Sequence, residues 1–428
     1  MTKNKILKTL ALTLSISLLA PFASKVHAKE SQPTIVSKAG IVMDYDTGEV
    51  IYDKNANDKM FLASTTKIMT ALLFAENAEK TDQITYTQTA MDQPPYTMQS
   101  EQMKPYGKSF KVGDTLDADT VMKELLLFSG NDAAYMIADH VGKTSENFMN
   151  MMNDRAKELG LNNTHFGNPN GLPVNGVDVN YSTAYELALL TKVAFQNDWI
   201  RETMALSKAR VVLPDNNIQD IINRNEELGK NGNIGGKTGV TDQAGTCFAG
   251  VYERNGRKLI GTVLKSDRNS NTQRFEDLNS MMNYSYAAKK EAIKKSGDKV
   301  GTLELEYKLF RWFGPTKTIE APITLAEDVL LYPNAMNEKN LEITLNSENN
   351  DAWKAASQKT TPLTVTVNEF KTEVNGNVGV STMQLIKANI MVYLAVIAVI
   401  AIIVVLVIFI IKMIGNSGRR SRKRRRRY

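Results

Sequence analysis

The sequence predicts a mixed α/β domain, a small antiparallel β domain after it, and one membrane-spanning helix near the C-terminus. Three observations lead there. Within residues 29–293, strand-like patterns stand at both ends with helical patterns between them; short alternating runs follow; and Ile390–Ile411 is a stretch of 22 residues without a charge. Regular βαβ alternation is missing, which excludes a doubly wound fold and implies a sheet built from distant parts of the chain.

Taken in order, Met1–Ala28 reads as a secretory signal. Lys3, Lys5 and Lys8 precede the apolar Leu10–Leu19, and Val26-His27-Ala28 offers a small-residue cleavage site. Gly40–Tyr45 turns at Asp46-Thr47-Gly48 into Glu49–Tyr52, a hairpin pattern. A helix is expected over Ala63–Leu73. Another covers Asp117–Phe128 and ends at Ser129-Gly130-Asn131, where Gly130 suits a tight turn before helix resumes at Asp132–His140. Phe148–Leu159 is helical with Gly160 as its C-cap, and Ser182 is read as the cap of Thr183–Phe195. Strands then surround Gly235–Gly239, and Thr246–Val251 pairs with Lys258–Leu264 through Asn255-Gly256, a type I′ signal. Arg274–Lys290 closes the domain as a helix.

Composition shifts at Lys294–Lys299. Residues 294–382 carry the alternating runs Thr302–Lys308, Thr316–Leu331, Leu341–Leu345 and Leu363–Val367, with no visible chemistry. Ile390–Ile411 is about 33 Å long as a helix, enough to cross a bilayer. Residues 412–428 form a basic tail. By the positive-inside rule this tail is cytoplasmic and everything before Ile390 lies outside.

The chain's formal charge of +6 belongs to its ends. The signal contributes four cations and the tail nine, with no acid in either, so 6 less 13 leaves about −7 for residues 29–411. The tail fits a stop-transfer segment against lipid headgroups, and no nucleic acid partner is expected. The lone Cys247 excludes an intrachain disulfide. Of three histidines, His27 sits in the signal, His140 on an apolar helix and His165 in a turn. None accompanies a Gly-x-Ser-x-Gly elbow, so a Ser-His-Asp triad is disfavoured. No ligand spacing for a metal is present, and neither a metal nor a cofactor is expected.

The chemistry is carried by three motifs in order: Ser64-Thr65-Thr66-Lys67, Ser129-Gly130-Asn131 and Lys237-Thr238-Gly239. Ser296–Lys299 imitates the first, and Ser145-Glu146-Asn147 and Ser347-Glu348-Asn349 imitate the second; order, context and the third motif separate signal from decoy. On a helix Ser64 and Lys67 share one face, one turn apart. A serine hydroxyl attacks well only when a base takes its proton. Lys67 can be that base only if neutral, so burial or a second cation, for which Lys237 is placed, must lower its pKa.

With these motifs the chain resembles the low-molecular-weight penicillin-binding proteins of the D-alanyl-D-alanine carboxypeptidase family. Thr164–Leu172, Tyr181-Ser182-Thr183-Ala184 and Lys237–Gly245 extend the likeness. The resemblance implies an antiparallel sheet covered by helices, an all-helical lobe with the active site between, and a C-terminal β-sandwich. It implies Ser64 as acylated nucleophile, Lys67 as base and Ser129 as proton relay to the leaving amine. Asn131 would bond the substrate amide, Lys237 and Thr238 would hold the terminal carboxylate, and Gly239 leads to Val240, whose N–H would join that of Ser64 in an oxyanion hole. The implied partners are peptidoglycan stem peptides ending in D-Ala-D-Ala, and β-lactams as inhibitors, at the membrane of a Gram-positive cell. Oligomeric state, the ratio of hydrolysis to transpeptidation, and contact of substrate with Arg224 or with loop 89–108 stay open.

Two rivals follow from the same residues. A class A β-lactamase needs an added carboxylate for deacylation, and Glu158-Leu159-Gly160-Leu161-Asn162 matches Glu-x-x-Leu-Asn. Gly160 would end the helix there, which makes Glu158 a solvated last-turn residue. A β-lactam sensor would need an output domain, and 17 residues follow Ile411.

Overall fold

Five strands make the main sheet, in the order Val50–Lys54, Ala39–Asp44, Arg257–Ser266, Gly245–Arg254, Asn233–Thr241. The first two come from the start of the chain and the last three from two hundred residues later, as the patterning predicts. The hairpin between Gly245–Arg254 and Arg257–Ser266 turns on Asn255 and Gly256, both with positive φ, 52° and 78°, the backbone that a type I′ turn demands. The computed structural model of the protein describes residues 32–93, 97–98, 110–214, 218–345 and 350–424, without the side chains of 415–424. The expected signal, most of loop 89–108 and the last four residues of the tail lie outside them.

Described by contacts, the chain forms two compact units: residues up to 40 with 57–250 and 261–288, and residues 41–56 with 251–260 and 289 onward. In the first unit, Lys67–Asn77 is the central helix. Its first eight residues, Lys67 to Phe74, are all buried, so it is enclosed on every side rather than amphipathic. Against it pack Glu124–Phe128, Asn131–Gly142, Ser145–Glu158, Ala184–Gln196 and Asp198–Met204. Helix Gln273–Ala287 buries Phe275, Leu278, Met281 and Met282.

Two local expectations need correction. The cap of Ala184–Gln196 is Thr183, whose side chain accepts from the Glu186 N–H, while Ser182 belongs to the short strand Tyr181–Ser182. At the second motif the left-handed residue is Ser129, φ 72°, and Gly130 keeps an ordinary negative φ. The cause is a π turn over Glu124–Phe128, which brings both the Ser129 and Gly130 N–H groups to the Glu124 carbonyl. A hairpin that the sequence reading did not anticipate, Lys208–Val212 with Ile218–Ile222, completes the unit's edge.

The second unit holds a five-stranded sheet in the order Lys299–Lys308, Thr316–Leu325, Phe370–Val378, Thr360–Val367, Leu341–Leu345, every neighbouring pair antiparallel. A two-stranded sheet, Glu291–Lys294 with Val329–Leu331, shares its core: Val329 and Leu331 pack with Ile323, Leu325, Leu363, Val365 and Val367. On a second cluster, Leu305 and Tyr307 meet Ala352, Ala355 and Leu385 from the short helices Ala352–Gln358 and Thr382–Lys387. A capping box of Ser381 and Gln384 starts the latter. The helix Ile390–Arg424 follows, and its apolar part, Ile390–Ile414, has length and composition enough to cross a membrane.

Candidate active site

Ser64 lies in a 3₁₀ turn, Ala63–Thr66, that runs directly into the central helix at Lys67. Its backbone is gripped from two directions. A Cβ at Gly239, on strand Asn233–Thr241, would fall 2.9 Å from the Leu62 carbonyl oxygen and the Thr65 nitrogen and 3.0 Å from the Ser64 nitrogen. A Cβ at Gly171, φ +85°, would fall 1.9 Å from the Ala63 carbonyl oxygen. Only glycine permits either approach, and Ala63 itself is held at φ 48°.

Lys67 is 0% exposed. Its Nζ lies 3.0 Å from Ser64 Oγ, 2.8 Å from Asn131 Oδ1 and 2.6 Å from the Asn170 carbonyl oxygen. The two amide oxygens can only accept, so they take two N–H bonds of the amine. What remains toward Ser64 is, in the neutral amine, a lone pair. Burial pushes the Lys67 pKa well below the ordinary lysine value, Lys237 and Arg224 push it the same way, and Asp132 opposes them. The ammonium form is thus disfavoured relative to that of an ordinary lysine, at the place where a proton acceptor is needed.

Lys237, also enclosed, donates to Ser129 Oγ at 3.0 Å and to the Thr238 carbonyl at 3.0 Å. Its pKa is likewise well below the usual value, through burial first and then Arg224 and Arg274. Asn131 opens helix Asn131–Gly142, so the π turn that bends Ser129 toward Lys237 also delivers Asn131 to Lys67. Ser64, Ser129, Asn131, Thr238, Gly239 and Val240 line one cleft of about 720 Å³, with Lys67 and Lys237 buried beneath it.

The eight candidates thus converge on one place. Sequence reasoning missed the Asn170 carbonyl and Arg274, and left Arg224 open. Asn170 sits in Thr164–Leu172, a stretch already quoted for the resemblance; its neighbour Pro169 accepts from Thr70 Oγ1 at 2.6 Å, which ties that loop to the central helix. Arg224 hangs over the Phe128 ring, 5.0 Å from its centroid, and lines the cleft with Arg268 and Arg274. No sequence spacing marks them. Glu158 is the last residue of helix Ser145–Glu158, exposed and 2.9 Å from Arg155 in an ion pair; it does not line the cleft. Cys247 is buried, with its thiol pushed up to about 11 by desolvation. Among the described residues no cluster of His, Cys, Asp and Glu could hold a metal.

A serine against a buried amine, in a cleft lined by Arg224, Arg268 and Arg274 together with Asp220 and Glu226, is an arrangement suited to acyl transfer through a serine ester. The profile of the D-alanyl-D-alanine carboxypeptidase family matches residues 26–268, more than half of the chain. The chain belongs to that family. A Streptomyces D-alanyl-D-alanine carboxypeptidase is 34% identical over 272 residues, 60% of this chain and 89% of the relative. The carboxypeptidase DacF of Bacillus subtilis is 30% identical over 268 residues, which span 66% of its own length. Among solved structures, a variant of a Streptomyces DD-transpeptidase aligns with TM-score 0.52 and 32% identity, over 60% of this chain and 99% of that one. A penicillin-binding protein of Listeria monocytogenes in its cefotaxime-bound form aligns with TM-score 0.51 and 27% identity, over 60% and 100%. These relatives thus carry the names of DD-carboxypeptidases and a DD-transpeptidase, and one penicillin-binding protein among them is seen with a β-lactam bound.

Proposed function

We propose that this protein is a serine D-alanyl-D-alanine carboxypeptidase, with transpeptidation open to it, that acts on peptidoglycan stem peptides and is acylated by β-lactams. The observation that carries the reading is Lys67: a lysine amine without solvent contact, two of its sites taken by acceptors and the third facing Ser64 Oγ at 3.0 Å.

The terminal carboxylate enters beside Lys237 and Thr238. It supplies the counter-charge that burial denies Lys237, so binding favours the ammonium form there. That cation in turn holds Lys67 neutral. Ser64 Oγ attacks the penultimate carbonyl as its proton passes to Lys67 Nζ, and the N–H groups of Ser64 and Val240 receive the oxyanion. One such donor contributes about 3 kcal/mol to a transition state of this kind. Ser129, hydrogen-bonded to Lys237, gives its hydroxyl proton to the departing amine and is reprotonated by the proton that Lys67 took from Ser64, so D-alanine leaves with that nitrogen and Lys67 is neutral again for deacylation. The acyl-serine then goes to water or to an amine of a second peptide. Asn131 orients the substrate amide. The β-lactam ring follows the same first steps.

The domain reading that accompanies this function is a signal at 1–28, a catalytic domain at 29–293, a β-rich domain at 294–382, a span at 390–411 and a cytoplasmic tail at 412–428. The catalytic domain would then face outward from the membrane of a Gram-positive cell. The β-lactamase alternative is disfavoured by Glu158, which is exposed and paired with Arg155. The test is release of D-alanine from a muramyl-type pentapeptide, together with mass spectrometry of the penicillin-treated chain. An adduct on Ser64 with D-alanine release is expected; an adduct on any other serine overturns the assignment.

A further inference from the structure

Most aromatic side chains of the β-rich unit are at least partly buried, but one hairpin breaks the pattern. Between strands Lys299–Lys308 and Thr316–Leu325, Trp312 is 76% exposed and Phe313 64%; outside helix Ile390–Arg424, no other Trp or Phe among the described residues is so exposed. The loop is shaped, not slack. Leu309 N–H donates to the Pro315 carbonyl at 3.1 Å, Phe310 N–H to the Phe313 carbonyl at 3.1 Å, and the Phe310 and Phe313 rings stack with centroids 5.1 Å apart.

The same loop touches the start of the apolar helix. Phe310 meets the Tyr393 ring edge-on at 5.6 Å, and Tyr393 OH donates to the Leu309 carbonyl. Asn389 Nδ2 donates to Tyr307 OH at 2.8 Å, and Lys317 Nζ to Asn389 Oδ1 at 2.6 Å. Depth follows from these contacts. Tyr393 lies three residues past Ile390, about 4.5 Å along the axis. A 25-residue apolar helix is about 37 Å long against a hydrocarbon core of about 30 Å, so its first turn stands in the interfacial layer where Tyr and Trp concentrate. Whatever packs on Tyr393 shares that layer. Lys308, Arg311 and Lys317 flank the aromatic tip, with the Arg311 guanidinium 5.3 Å from the Trp312 ring centroid, a charge pattern suited to lipid phosphates.

We propose that the hairpin tip Leu309–Gly314 seats Trp312 and Phe313 in the outer interfacial layer of the bilayer beside the first turn of the span. The β-rich unit is then fixed to the membrane at two points. This rests on reading Ile390–Ile414 as a transmembrane helix, and the test separates the two ideas. The full chain is reconstituted into phosphatidylcholine and phosphatidylglycerol vesicles, with and without shallow-brominated acyl chains, and washed with alkaline carbonate. Tryptophan emission is compared for the parent and Trp312→Phe, an exposed and conservative change. Bromolipid should quench the parent more strongly, by an excess approaching the share of one tryptophan in three, and Trp312→Phe should abolish that excess. Retention through the wash with equal quenching in both proteins overturns the hairpin proposal and leaves the span standing; it would favour an extracellular partner, such as a glycan strand, for the aromatic tip. Release by the wash overturns the span, and the hairpin proposal falls with it.

Discussion

Ser64–Lys67 and Ser296–Lys299 have the same spacing and the same end residues, yet only one pair has the buried geometry that the proposed reaction requires. The first bridges a 3₁₀ turn and a helix whose first eight residues are buried, and its lysine is 0% exposed with three polar neighbours within 3.0 Å. The second is a surface turn leading into strand Lys299–Lys308, where Ser296 spends its hydroxyl on the Ala326 carbonyl and its N–H on Asp328. Both residues there are exposed. Spacing sets only which atoms can meet; burial first, and then neighbouring cations, shift a lysine toward the neutral form that can act as a base.

Four measurements would sharpen or break that contrast. The largest effect is expected from serine replacement: Ser64→Ala loses all covalent labelling by fluorescent penicillin, while Ser296→Ala labels like the parent. Circular dichroism would check that both remain folded, and persistent labelling of Ser64→Ala would end the argument. Next comes the base. Lys67→Met should slow acylation by about 10²- to 10⁴-fold, the range for a positioned general base, whereas Lys299→Met should leave the rate unchanged. Stopped-flow acylation decides this, and equal effects would mean that burial is not what matters.

A smaller and more specific effect concerns pH. With Lys67 in the proposed role of base, acylation needs it neutral, so the rate should rise with pH through the Lys67 pKa, and the lowered value should bring that limb below the ordinary lysine figure of 10.5. Arg224 is one of the cations that lowers it. Removing that charge in Arg224→Gln should raise the pKa, shift the limb to higher pH and slow acylation at pH 7; a limb that stays in place would remove Arg224 from the account. The smallest effect is expected at another decoy. Glu158→Gln should change the half-life of the penicilloyl adduct by less than a few fold, where a carboxylate activating the hydrolytic water would cost about 10²-fold or more. A long-lived adduct in that variant would favour the β-lactamase reading.

The sequence made the mixed α/β fold legible because its signals are local: alternation for strands, Asn255-Gly256 for a hairpin, a charge-free run for the apolar helix. Seven of the eight candidate residues were legible for another reason, since three short motifs carried them to one cleft or the space beneath it, while Val240 came with the resemblance. What escaped is non-local. The left-handed turn at Ser129 depends on a π turn that no spacing announces, so Gly130 drew the credit. Asn170 acts through its carbonyl, which every residue has, and Arg224 and Arg274 matter only because the fold brings their charges to Lys237. The hairpin Lys208–Ile222 has no glycine in its strands or in the chain between them, and the helices Ala335–Asn340 and Ala352–Gln358 are too short for a clear period.

The double grip on the Ser64 backbone has an evolutionary consequence. A side chain at Gly171 or Gly239 would collide with main-chain atoms, which cannot rotate away as a flexible side chain could. Under antibiotic selection those two positions are closed to variation, because any change that weakened drug attack there would displace the nucleophile for the natural substrate as well. Adaptive routes are left to other side chains that line the cleft, such as Arg268 and the 38% exposed Val240. Deep mutational scanning under rising β-lactam should therefore recover survivors at those rim positions and none that keep activity at 171 or 239.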